Sequence, residues 1–163
     1  MRRYEARGIA LGGMMAALAV VVMSLGGLIP VATFVCPMLC MLLLAFVSRM
    51  CGRRIGWAWY GAVAVLSLLL GPDKEAAAVF LFLGFYPLLK PRLETLRLCW
   101  LWKGLLFNTA ILLTYWLLIH LFGMAQIAAE YQELGTVITA IMLGLGNVTF
   151  FLLDRVLTRF GKI

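Results

Sequence analysis

The residues of this chain that could do chemistry are few and scattered along 163 positions. Asp73, Lys74 and Glu75 stand together in Gly71-Pro72-Asp73-Lys74-Glu75, where both signs of charge could hold a zwitterionic or cationic solute. The same run reads equally as a turn. Pro72 suits a first helical position, and acids in a first turn complement the helix dipole. Trp116 and the one histidine, His120, lie four apart and so share a helical face. Glu130 and Tyr131 fall in a segment, 124–134, where Ile127, Tyr131 and Leu134 recur at helical spacing. Such a weakly amphipathic turn could close over an outward-facing cavity or simply connect two elements.

Other polar residues interrupt long apolar runs. Asn108, Thr114, Tyr115, Asn147, Thr149 and Asp154 are the ones expected at depth, where polar groups are costly and face a bundle interior or cavity. Asn108 is expected to make an interhelical hydrogen bond. Asn147 is open between that role and solute contact, and Asp154 is expected to pair with a cytoplasmic arginine. Cys36 and Cys40, with Met38 and Met41 nearby, could offer soft ligands to a copper-like ion. No histidine joins them, so no metal or other cofactor is expected. The remaining thiols, Cys51 and Cys99, are expected to be free. A zinc-protease HExxH pair, a phosphate-binding lysine loop and a nucleophile elbow are all missing from the sequence. An enzyme is therefore not expected, and active transport would need a partner or an ion gradient to supply energy.

The elements that must position these residues follow from composition. Apolar residues make up 64% and charged ones 13%, against about 45–50% and about 25% in soluble domains. A chain this small cannot bury that excess internally. An all-α polytopic membrane protein is the expectation, with one domain of six spans near 9–29, 34–50, 55–70, 76–89, 99–121 and 136–153. Only helices and closed barrels satisfy the backbone in lipid. The first run is about 31 Å long at ~1.5 Å per residue and ends at Pro30; it is expected to stay as an anchor rather than be cleaved. Pro37 falls in the first turn of the second run, and the fourth is expected to stop at Lys90-Pro91. The third and fourth runs are short, which implies extension into polar flanks, local thinning of the bilayer, or a re-entrant pair.

Charge sorts the topology. The net charge is +7, and with six crossings 13 of the 14 Lys and Arg residues fall on one side, Lys74 alone on the other. The positive-inside rule places that side, and both termini, in the cytoplasm of a multi-pass cell-membrane protein. The basic clusters alternate with apolar runs, so a bilayer rather than nucleic acid is the expected partner. Trp57, Trp59, Tyr60, Trp100 and Trp102 read as an aromatic belt at the inner interface.

The first run is rich in small residues. Ala6–Ala10, Gly12–Ala16 and Gly13–Ala17 are small-xxx-small pairs that let helices approach closely. That stripe, the run Ala16-Ala17-Leu18-Ala19 through Gly26-Gly27-Leu28-Ile29-Pro30, and the following Ala32-Thr33-Phe34 resemble the first hairpin of the substrate-binding S components of energy-coupling factor (ECF) importers. The resemblance implies a subunit that captures a vitamin or similar micronutrient on the outer side. It implies further partners, a transmembrane coupling subunit and ATPase subunits. Ala6, Ala10, Gly12 and Ala16 would form the docking stripe. Asp73, Lys74, Glu75, Trp116, His120, Glu130, Tyr131 and Asn147 are the candidate solute contacts. A non-transport scaffold of the MreD cell-shape type, similar in size and span number, is the alternative.

Overall fold

A computed structural model describes residues 2–25, 32–95, 97–120, 140 and 143–159. Among them every regular element is helical. The elements are α1 (Arg2–Leu25), α2 (Ala32–Met50), α3 (Arg53–Leu70), α4 (Lys74–Leu83), α5 (Tyr86–Leu93) and α6 (Cys99–His120). A further helical stretch, 143–159, is α7. Two compact units divide the chain, one ending at Thr95 and the other beginning at Leu96.

In the first unit, α1 packs on α2 and α3, and both of those pack on α4 and α5. The contacts fix the directions. The Cys51 thiol donates to the Gly8 carbonyl at 3.3 Å, and the Cys40 thiol to the Ala19 carbonyl at 3.6 Å. Residue numbers rise on one helix as they fall on the other, so α1 and α2 are antiparallel. Likewise Arg53 Nη2 donates to the Leu88 carbonyl at 3.0 Å, and the Tyr60 hydroxyl donates to the Leu81 carbonyl. Hence α3 runs against α4 and α5, which together form one leg.

That leg is broken at Gly84. The Gly84 amide closes α4 on the Phe80 carbonyl at 2.7 Å, and the Phe85 carbonyl starts α5 by accepting from Leu88 and Leu89. A side chain at Gly84 would meet the Phe80 carbonyl and ring, so only glycine allows this close turn. Ending α4 there leaves the Leu81 carbonyl without its intrahelical partner, and Tyr60 supplies one. The fourth apolar run is thus two helices, and it continues past Pro91 to Leu93. Pro91 therefore lies inside α5. Elsewhere, α2 begins two residues earlier than its apolar run, which puts Pro37 inside the helix. Gly52, at φ +90°, turns the chain from α2 into α3. L-residues with side chains rarely adopt that conformation.

The first unit's core is small and close-packed. Ala19, Met23, Cys40, Met41, Leu44, Val63, Ala76, Ala78 and Phe80 are almost wholly buried. Gly56 marks the tightest approach, since a Cβ there would stand 3.0 Å from Ser48 and 3.1 Å from Leu88. In the second unit, α6 and α7 are antiparallel, because Lys103 pairs with Asp154 and Asn108 with Asn147. Phe107 stacks on Phe150 with ring centres 4.8 Å apart, and Trp100 on Phe151 at 5.4 Å.

Among the described residues, three segments have the length and apolar content to cross a bilayer: Gly8–Leu25, Lys74–Leu93 and Cys99–Leu118. The described residues are thus all-helical and compatible with a membrane location.

Candidate functional site

The turn between α3 and α4 carries the densest charge among the sequence candidates. Asp73 is the N-cap of α4 and accepts from the Ala76 amide at 3.0 Å. Lys74 folds back to donate to the Leu68 carbonyl at 2.8 Å and the Gly71 carbonyl at 3.0 Å. One side chain therefore caps the start of α4 and its neighbour caps the end of α3, satisfying groups that helix ends leave exposed. Glu75 stands in the first turn of α4, where its charge suits the helix dipole. The use of Lys74 as a C-cap is legible only in three dimensions, because its acceptors lie behind it on another helix.

At the far end of α6, the His120 ring stacks on Trp116 with centres 5.1 Å apart, and its Nδ1 lies 3.1 Å from the Trp116 carbonyl. Trp116 is exposed. The two share a face, as their spacing implies. Glu130 and Tyr131, with the whole segment 124–134, lie outside the described residues.

The second unit holds its own polar seam. Asn108 and Asn147 face each other as reciprocal amides, at 3.3 Å and 3.0 Å. Each amide nitrogen gives its second hydrogen to its own helix, Asn108 to the Gly104 carbonyl and Asn147 to that of Leu143. The interhelical bond expected of Asn108 is present, and Asn147 is its partner. An open cleft of about 840 Å³ runs over this pair, lined by Trp100, Trp102, Leu105 and Phe151 among others. Both amide nitrogens already donate twice, so the cleft presents apolar walls and carbonyl oxygens. Thr114, Thr149 and Thr158 donate to the carbonyl four residues back, which also meets their needs locally.

One turn and a half along the seam, Lys103 Nζ lies 2.8 Å from Asp154 Oδ2, with side chains only 8% and 13% exposed. Asp154 thus pairs with a lysine of α6, and the arginine expected there is not the partner shown. The sequence offered a signal for this pair. A lysine inside an apolar run needs a carboxylate, and Asp154 is the one acid of the last helix.

The small residues of α1 separate onto different faces. Gly12 is buried, 3.6 Å from Ile55 where its Cβ would stand, and Gly8 approaches Cys51 and Ile55. Ala16 is half-buried, whereas Ala10, Gly13 and Ala17 are exposed. The side chain of Ala6 lies outside the described residues. Among the aromatic residues, Trp57, Trp100 and Trp102 are exposed as an interfacial belt requires. Trp59 is not: it is 4% exposed, packed in the first unit's core, because it falls on the buried stripe Gly56, Trp59, Val63 and Ser67 of α3. All four cysteines are free thiols, and among the described residues no group of three potential ligands could hold a metal. No protein-family profile, curated protein or solved structure matches this chain.

Proposed function

We propose that this chain is a six-pass membrane subunit of an ECF-type, ATP-driven importer, with both termini cytoplasmic. It captures a vitamin-like solute from the outer side and docks a transmembrane coupling subunit through α1. The observation that carries this reading is the uncovered face of α1. Ala10, Gly13 and Ala17 recur at helical spacing on one exposed face, and among the described residues nothing stands within 4 Å of where a Gly13 Cβ would be. Helices in lipid associate through such close approaches rather than through a hydrophobic driving force. The alternating legs of the first unit and the antiparallel pair of the second also suit six crossings. The resemblance of the first hairpin to S components supplies the importer.

Replacing Gly13 and Ala17 by leucine tests docking. Recovery of a co-expressed coupling subunit with the purified chain should fall at least tenfold while the melting temperature in detergent stays unchanged. Normal recovery would defeat the docking face. Capture is tested by melting the purified chain against a panel of vitamins, since a solute at about 100 times its Kd adds about 2.7 kcal/mol of stability.

A scaffold of the MreD type is the second reading, and the caps favour it. Asp73 and Lys74 spend side-chain contacts on helix ends, a role that needs no solute. Asp73→Asn keeps the cap and removes the charge, so solute capture that survives this change would return Asp73 to capping alone.

A further inference from the structure

Two basic clusters distant in sequence meet at one end of the first unit. Arg49 ends α2, Arg53 and Arg54 begin α3, and Lys90 and Arg92 end α5. The Arg53 guanidinium is held against α5 by its bond to the Leu88 carbonyl. Arg92 follows Leu88 by four residues, so it stands on the same face of α5 one turn further on, about 5.4 Å along the axis. Among the described side chains at this end the only carboxylate is Glu94, and it lies 3.7 Å from Lys90. Arg53, Arg54 and Arg92 are all exposed. Arg53, Arg54 and Arg92 carry like charge at this end, and an anion between them relieves their mutual repulsion.

Depth decides which anion. Trp57 follows Arg53 by four residues and Arg54 by three, so its exposed ring shares their side of α3. Exposed tryptophan settles at the level of lipid headgroups, which leaves the arginines one turn further out, at phosphate depth. We infer that Arg53 and Arg54 of α3, with Arg92 of α5, form a seat for the phosphate of an anionic phospholipid. The inference rests on the membrane placement proposed above and is independent of the importer reading.

The test uses the full chain in neutral detergent, titrated with phosphatidylglycerol or phosphatidylcholine, with bound lipid counted by native mass spectrometry. Phosphatidylglycerol should bind in preference. Arg54→Gln with Arg92→Gln, which leaves the Arg53 anchor intact, should weaken that binding roughly thirtyfold, about fivefold per arginine. Phosphatidylcholine binding should not change. Arg155→Gln with Arg159→Gln, in the second unit, removes the same charge elsewhere and should leave phosphatidylglycerol binding as it was. Equal loss in both double variants, or no loss in the first, overturns the seat. Displacement of the lipid by equimolar inorganic phosphate or by an acidic peptide overturns the lipid assignment. A chain that stays monomeric and soluble without detergent defeats the membrane placement itself, which separates that failure from failure of the seat.

Discussion

The two units close their helix seams by different means. In the first, side chains reach across to backbone carbonyls: Cys51 to Gly8, Cys40 to Ala19, Tyr60 to Leu81 and Arg53 to Leu88. Around these bonds, alanines, glycines and thiols let several helices approach one another, so most of the fit is shape. In the second, α6 and α7 meet through side-chain pairs, Lys103 with Asp154 and Asn108 with Asn147. A helix packed against four neighbours has its rotation and register set from several directions. A helix pair is set along one seam, and complementary polar pairs name the register there, since a slip of one turn would separate both pairs. The comparison teaches that small residues suffice where many helices converge, whereas polar recognition is added where few do.

The largest effect should come from breaking the ion pair. Asp154→Ala takes the carboxylate away from the Lys103 ammonium, whose side chain is 8% exposed, and should cost about 3 kcal/mol in denaturant unfolding in detergent. Asp154→Leu with Lys103→Met removes both charges and should recover most of that loss. If the double variant is as unstable as the single one, packing rather than charge holds this seam, and the contrast with the first unit disappears.

A smaller loss tests the first unit. Gly56→Leu forces a side chain between Ser48 and Leu88, where even a Cβ would be at 3.0 Å and 3.1 Å. Overpacking of this kind should cost about 2 kcal/mol, read as a lower melting temperature. The same change at Gly61, where a Cβ would meet nothing within 4 Å, should leave stability unaltered. A tolerant Gly56 would mean that close approach does not govern this bundle.

The smallest effect sharpens the comparison. Asn108→Leu leaves the Asn147 amide facing an apolar partner and should cost about 1 kcal/mol. Adding Asn147→Leu should restore stability while loosening register, which disulfide trapping between cysteines placed along the α6–α7 seam would detect as several products in place of one. A single product from the double variant would take register specification away from the amides.

How much of this was legible beforehand differs by residue. The runs that became α2, α3 and α6 were read almost to their ends, because proline, glycine and charge punctuate apolar helices strongly. The start of α1 was not, since it begins at Arg2, seven residues before its apolar run, among charged residues that composition assigns to a flank. Nor was the break at Gly84, since one glycine among phenylalanines looks like ordinary apolar filler. The place of Trp59 was misread for a related reason: an aromatic near a basic cluster looks interfacial until the helix's rotation is known. His120 and Trp116 share a face as their spacing required. The capping use of the acids at the start of α4 was one of the two readings the run allowed. The use of Lys74 as a C-cap could not be read, because the deciding carbonyls of Leu68 and Gly71 are presented by a turn that exists only when folded.

What the chain's composition indicated by itself was helical secondary structure and compatibility with a bilayer. An apolar content this high suits a chain that faces lipid, and a backbone in lipid must close its own hydrogen bonds, which favours helices. Tertiary structure alone decided which face of each helix turned inward. Rotation about a helix axis is set by the sum of many weak contacts with neighbours, and in α1, where small residues occur on every side, no local pattern distinguishes Gly12, which is covered, from Gly13, which is not.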